Sequence, residues 1–402
     1  MKKLFISFLL LLFPTMGAWA DSHFNVDTQL QYCHKQLTRA LQLLRQGGSY
    51  DFTMQPRNIL STDKSRGWNC RKVSAEEWCS GFWPGILWMD YSYSHDSVVY
   101  NAARGYSETL RPLAHQKIYD HDLGFLINCS LGKGYDVTHY DGYHADLLAA
   151  ADTLATLFNP VVGTMLSWPR NVKMFGGHNT IMDNMMNLEL LFRASAEGGS
   201  KLLSDVAIMH ATTTMRNHFR PDGSCYHVAV YDTITGQFLR GVNHQGYADY
   251  SMWARGQSWA IYGFTVTYRY THNKLFLDFA QKVANAYLTR LHEISDDEVP
   301  IWDFNDPRGL HAPKDASAAC VVADALLELS TYVPAGKAKE YRDEAVKMLE
   351  CLSSKYQSGN RNVAFLLHST GNLPAKSEID ASIVYADYYY LEALLRLKQL
   401  GD

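Results

Sequence analysis

The chain has 402 residues with 37 basic and 41 acidic side chains, a net charge of −4 at pH 7 that leaves no basic footprint for nucleic acid. No stretch reaches the length of a membrane-spanning helix, and seven cysteines without C-x-x-C spacing argue against a zinc site. Aromatic residues reach 13%, with 25 tyrosines, a surplus that a lined sugar cleft would explain once the core has taken its share.

Lys2 and Lys3 precede an apolar run from Leu4 to Phe13, and Ala18-Trp19-Ala20 supplies the small residues of a signal-peptidase site, so residues 1–20 read as a secretory signal. The mature chain is expected to start at Asp21 and to be exported, into the periplasm where the cell has two membranes. No Pro/Ser-rich linker or charge block divides residues 21–402, which predicts one domain.

Helical periodicity recurs from end to end. Leu30, Cys33, Leu37, Leu41 and Leu44 share one face of a first helix. Further helices are predicted near 80–94, 98–115, 142–158, 180–196, 201–219, 254–271, 315–331, 337–355 and 381–399, with one more around Phe276, Phe279, Val283 and Leu288. A short turn after Asp122 brings the total to about a dozen. Long polar connections fall at 47–70, 116–140, 159–179, 220–250, 294–314 and 357–379, and loops of that length tend to carry function. In the fourth of them Tyr226, Val228 and Val230 alternate ahead of Thr235-Gly236, the pattern of a small β-hairpin. Antiparallel helix pairs with long loops gathered at one end predict an all-α fold, an (α/α)6 barrel of six helical hairpins. An open solenoid is the rival, and the absence of a clean short repeat counts against it. Cys70 with Cys79 is the one close pair to test for a disulfide, and the odd total leaves at least one free thiol unless chains cross-link.

Each candidate for chemistry also has a structural role open to it. The run from Tyr247 to Phe264 crowds Arg255 with Trp253 and Trp259, a fork of donors for a carboxylate beside apolar faces for a sugar ring. Arg255 would otherwise pair with Asp249 across a helix start, for no more than ~1 kcal/mol if exposed, and Trp83, Trp168, Trp253 and Trp259 could all be core. Asp183 follows Thr180 in a capping-box pattern, yet it shares a face with Met186, Asn187 and Leu190. Asp122, in His121-Asp122-Leu123-Gly124-Phe125, reads as a helix N-cap unless it meets Asp183 in one cleft, where repulsion would raise one pKa and make a proton donor. His227 follows a D-G turn and either points into the cleft or caps the hairpin. Asp315 and Asp380 read as helix caps, and Asn128-Cys129-Ser130 as a sequon of the kind chance supplies. No phosphate-binding glycine loop, H-E-x-x-H or EF-hand spacing is present, so no cofactor or metal is expected.

GFWPGILW (81–88), HDLGF (121–125), the Asp183–Asn187 run, DGSCYHV (222–228), QGYADYSMWARGQSWAIYGF (245–264), Trp302-Asp303-Phe304, DASAA (315–319) and YADYYYLEAL (385–394) stand in one order. In that order they resemble the unsaturated glucuronyl hydrolases of glycoside hydrolase family 88, over nearly the whole mature chain. The resemblance implies an (α/α)6 barrel acting on the 4,5-unsaturated uronic acid that polysaccharide lyases leave at a non-reducing end. Carried residue by residue, it implies that Asp183 is the general acid/base and Asp122 the assisting aspartate. His121, Trp168, His227, Gln245, Arg255 and Trp259 would surround the sugar, with Trp83 a looser match. The implied chemistry is hydration of the vinyl ether, which asks Asp183 to be protonated near neutral pH with Asp122 as the group that raises it. The alternatives are an unsaturated rhamnogalacturonyl hydrolase on the same barrel, a conventional two-carboxylate glycosidase, and a non-catalytic glycan-binding protein. Chondroitin or hyaluronan fragments are the first expectation for the leaving sugar and heparan fragments the second, with His244 and Lys376 as candidates for the next subsite.

Overall fold

In the computed structural model, which describes residues 24–401, α1 (Val26–Leu44) buries Val26, Leu30, Cys33, Leu37 and Leu41, the one-sided stripe of a helix lying on a core. The segment read as a secretory signal lies outside the described residues. After a short β1–β2 hairpin (Arg45–Gln46, Ser49–Tyr50) come β3 (Met54–Leu60) and β4 (Asn69–Lys72). The helices that follow are α2 (Phe82–Ser94), α3 (Ser97–Glu108), α4 (Leu123–Ile127), α5 (Lys133–Thr138) and α6 (Asp141–Ala155). Then come β5 (Phe158–Asn159), β6 (Thr164–Met165), a single turn α7 (Val172–Phe175), β7 (His178–Ile181), α8 (Asn184–Ala196) and α9 (Lys201–Asn217). The second half holds β8 (Val228–Tyr231), β9 (Phe238–Val242), α10 (Ala254–Thr271), α11 (Lys274–Ile294), α12 (Ala316–Ser330), α13 (Ala335–Cys351), β10 (Ala381–Ile383) and α14 (Val384–Leu400).

Six of these form a closed inner ring. α2 packs on the α4–α5 helix, α4 on α8, α8 on α10, α10 on α12, α12 on α14, and α14 back on α2, which excludes the open solenoid. Outside each inner helix lies a partner: α3, α6, α9, α11 and α13 follow theirs in sequence, and α1 covers α14. The two layers differ in composition as their positions require. α12 is apolar nearly all round, and all fifteen of its residues are buried, whereas α11 buries one stripe, Phe276 to Leu291. At the closest approach in the ring α2 carries glycines, because a Cβ on Gly85 would collide with the Cys129 carbonyl and one on Gly81 would lie 2.5 Å from that of Phe125.

The structure departs from the sequence reading at several elements. The connection expected at 116–140 contains an inner helix, α4 running through a wide π turn (Asn128–Gly132) into α5. That extra residue per turn, with Gly132 and Gly134, breaks the periodicity by which a helix is recognised. Asn128 opens that turn, half-buried, and donates to Glu189 at 3.2 Å. The helix predicted over 98–115 stops at Glu108, and Arg111–His115 is a 3-10 turn with a proline in its first turn. The helix expected from 381 starts at Val384, because Ala381–Ile383 extends antiparallel along β3, in a sheet ordered β10-β3-β4. Asp380 therefore caps no helix and bonds His368 at 2.5 Å instead. The predicted hairpin exists as β8–β9, but β7 adds a third strand on its other side. All seven cysteines are free thiols: Cys70 lies on β4 and Cys79 is buried ahead of α2, so the pairing suggested by their spacing is not formed. No described helix is long and apolar enough to cross a membrane.

Candidate active site

The N-terminal ends of α2, α4, α8 and α10 meet around a cavity of about 180 Å³ lined by Trp78, Asp122, Trp168, Asp183, Gln245 and Arg255, with Arg170, Ile181, His244 and Asn372 completing the wall. Helix N-termini present unpaired N–H groups and the positive end of the helix dipole, a setting that favours an anionic ligand.

Both aspartates sit at N-cap positions, and neither caps. Asp122 precedes α4 and Asp183 precedes α8, but their side chains make no hydrogen bond to the helix start. Instead they are only 13% and 12% exposed and turn into the cavity, which removes the capping role that the T-x-x-D spacing had left open. Each faces a histidine whose proton is placed by a neighbour. The Asn187 amide donates to His121 Nδ1 at 2.9 Å, so the proton of the neutral ring is on Nε2, 3.5 Å from Asp122 Oδ1. The backbone N–H groups of His244 and Gln245 converge on His227 Nδ1 at 3.3 and 3.2 Å, which likewise puts the proton on Nε2, 3.4 Å from Asp183 Oδ2. Burial holds His121 down to about 4, so it stays neutral at physiological pH.

The two carboxyl groups are driven apart. Burial raises Asp122 well above the ordinary carboxyl range, and the charges of Asp120 and Asp183 push it further. Burial also acts upward on Asp183, but His227, His121 and Arg255 outweigh it and hold that group below its usual value. Asp122 thus keeps its proton to higher pH than Asp183 does, the reverse of the order that the sequence predicts. The sequence shows Asp120 beside Asp122, but not that it is buried there or that His227 reaches Asp183.

Arg255 does not pair with Asp249. Its guanidinium is buried, bonds Asp315 Oδ2 at 2.9 Å and the carbonyls of Thr370 (2.5 Å) and Gly371, and lies 4.6 Å from the Trp253 ring. Three of its five donors are thus committed, and two have no protein partner among the described residues. Asp315 also caps α12 as its position suggested, accepting from Ser317 N at 3.1 Å. The loop carrying Gln245 is anchored by Asp303, whose carboxylate accepts from Tyr247 N at 2.8 Å and Ser251 Oγ at 2.7 Å. Gln257 ties the turn before His227 to α10 through Cys225 N and Gly223 O.

The tryptophans divide. Trp168 forms a cavity wall between His121 and His227, with ring centroids 6.4 and 5.9 Å away. Trp259 and Trp83 do not line the cavity. Trp259 is wholly buried between Phe125 and Tyr389, and Trp83 packs on Trp68 and Tyr106. Trp78 stands at the mouth instead, five residues before Trp83 and ahead of the first turn of α2. Arg170 and Asn372 are further lining residues that no sequence pattern singled out. His244 lines the cavity, whereas Lys376 is exposed in the turn that follows Asn372.

The profile of Glycosyl Hydrolase Family 88 matches residues 53–400. The chain belongs to glycoside hydrolase family 88. An unsaturated glucuronyl hydrolase from Formosa agariphila is 43% identical over 336 residues, 82% of each chain. An unsaturated chondroitin disaccharide hydrolase from Streptococcus pneumoniae is 33% identical over 80% of this chain and 81% of its own. The crystal structure of an unsaturated glucuronyl hydrolase specific for heparin superposes with a TM-score of 0.84 at 38% identity, covering 93% of this chain and 97% of that one. The family 88 chain described here is thus a glycoside hydrolase on an (α/α)6 barrel.

Proposed function

We propose that this enzyme removes a 4,5-unsaturated uronic acid from the non-reducing end of lyase-generated acidic oligosaccharides, glycosaminoglycan disaccharides foremost, by adding water across the C4=C5 vinyl ether. The observation that carries this reading is the pair Asp122 and Asp183 facing one cavity with Arg255, the first carboxyl raised and the second lowered, in a volume small beside the roughly 300–1,000 Å³ of pockets for drug-sized ligands. Such a cavity takes one ring and leaves the next sugar outside, near His244 and the turn that bears Asn372 and Lys376.

The substrate carboxylate sits against the two uncommitted donors of Arg255 and the amide of Gln245, with the ring between Trp168 and Trp78. Arg255 is one of the groups holding Asp183 down, behind His227 and His121, and a carboxylate bound to it raises Asp183 toward the range in which it takes up a proton. Asp183 then protonates C4, and the positive charge that develops on C5 is shared with the ring oxygen. Water adds at C5 and gives its proton to the Asp183 carboxylate, which restores the acid. The C5–O5 bond of the resulting hemiketal opens, and the hemiacetal left at C1 releases the next sugar. The segment at residues 1–20 supports export of the enzyme, to where extracellular lyases supply such ends.

The test follows the ultraviolet absorbance of the conjugated double bond in a lyase-generated disaccharide. Asp183→Asn is expected to lose at least about a thousandfold in kcat, the scale of general acid–base catalysis, while still binding the disaccharide. Full turnover in that variant would refute the assignment.

A further inference from the structure

Asp120 touches no substrate in the reaction proposed above, yet it is the charge best placed to govern it. Its carboxylate is almost wholly buried, with Oδ1 accepting the backbone N–H of Asp122 at 3.0 Å and Oδ2 accepting Arg170 Nη1 at 2.6 Å. Arg170 lies over the Tyr119 ring at 4.6 Å, is 43% exposed, and lines the cavity. One buried charge therefore holds the backbone of Asp122 on one side and a cation of the cleft wall on the other.

The groups facing Asp122 come from several elements. Asp120 and His121 share its loop, Asp183 faces it from the start of α8, Arg170 from the segment after β6, Arg57 from β3, and the Cys79 thiol from ahead of α2. Burial keeps His121 neutral and pushes the Cys79 thiol up, so neither carries charge at neutral pH. Arg57 is neutralised by a two-pronged pairing with Glu378 at 2.7 and 2.9 Å and by a further pairing with Glu77, itself part-exposed. The balance at Asp122 then falls to Asp120 and Asp183 against Arg170, and Arg170 has Asp120 as its own counter-ion.

We propose that Asp120 and Arg170 form a positioning pair for Asp122, in which Asp120 fixes its backbone and repels a second negative charge beside it, while Arg170 meters that repulsion from the cleft wall. After burial, Asp120 is the largest influence raising Asp122, and Arg170 opposes it. The inference rests on Asp122 being the raised carboxyl in the function proposed above.

The two variants push in opposite directions. Asp120→Asn keeps an oxygen for the Asp122 N–H but removes the charge, and Arg170→Gln removes the counter-charge and leaves Asp120 uncompensated. The alkaline limb of kcat/KM against pH reports loss of the essential proton from the free enzyme. It is expected to move about one pH unit toward acid in Asp120→Asn and about as far toward alkali in Arg170→Gln, the scale on which a neighbouring charge acts. A loss of mere packing would not split the two variants by sign. Limbs that stay put, or move the same way in both variants, would overturn the proposal while Asp122→Asn remains inactive. A fully active Asp122→Asn would instead sink the underlying reading and the pair's role with it. Should Asp120→Asn fail to fold, the direction of the Arg170→Gln shift decides alone.

Discussion

Burial next to Asp120 and Asp183 raises the Asp122 carboxyl well above its ordinary range, and that arrangement works against folding. In the unfolded chain an aspartate ionises near pH 3.9. Between that value and its raised folded value, Asp122 keeps a proton that the unfolded chain has lost, so its contribution to stability falls as pH rises. Asp183 acts in the opposite sense: its depressed folded value adds stability above the unfolded pKa, and that stability is lost as pH falls through the folded value. Asp122→Asn, inactive in turnover, is therefore expected to be more stable than the parent at pH 7, by about 1.4 kcal/mol for each unit of elevation removed. The gain should vanish below about pH 4. Calorimetry across that range checks it, and a gain independent of pH would show that Asp122 is not held in its neutral form. At this scale the two carboxyl groups, the two histidines and Arg255 are legible through the ordered motifs of the resemblance, and the structure brings them to one place. Which carboxyl is raised and which lowered is not legible there: Asp120 stands only two residues from Asp122, but its burial and the approach of Asp183, His227 and Arg255 come from the fold.

Elements decide which aromatic rings reach the substrate. Trp78 stands in the 3-10 turn ahead of α2, at the barrel mouth, whereas Trp259 lies in the second turn of α10, below the cavity floor, against Phe125 and Tyr389. Trp78→Ala is expected to raise KM about tenfold, the loss of roughly 1–1.5 kcal/mol of ring contact, with little change in stability. Trp259→Ala should cost about 3–5 kcal/mol of stability, as buried aromatics do. Denaturant unfolding and steady-state kinetics on the two variants separate them, and an exchange of the two phenotypes would return Trp259 to the sugar. The sequence does not separate them, because Trp78 precedes α2 and Trp259 lies within α10, and neither pattern says where the cavity lies along the helix. The same limit hid α4–α5, whose π turn breaks the repeat, and β10, whose Ala-Ser-Ile reads as the start of the apolar run that becomes α14. Continuous helices with one dominant periodicity were legible almost to the residue, as at Ala254–Thr271.

Across the whole molecule the two ends of the barrel do different work. Toward the C-terminal ends of the inner helices an ionic network joins five of the six. Lys133 bonds Glu392 at 2.6 Å, and Arg396 reaches Asp324 at 2.6 Å and Glu328 at 2.9 Å. Arg269 joins Glu189 at 2.5 Å and also pairs with Glu328. Arg396→Ala takes the guanidinium from two buried carboxyl groups, Asp324 and Glu328, and is expected to cost about 3–5 kcal/mol. The pH profile of turnover should stay unchanged in that variant, because the network faces away from Asp122 and Asp183. The opposite end carries the candidate site, and the claim on which the rest depends is that the enzyme itself delivers a proton to C4. Turnover of an unsaturated disaccharide in heavy water, with the product read by proton NMR before it equilibrates, tests that claim most directly. Delivery from Asp183 on one face of a held ring should place one deuterium at C4 in a single orientation. An equal mixture of both orientations, or release of the leaving sugar with the double bond intact, would contradict it.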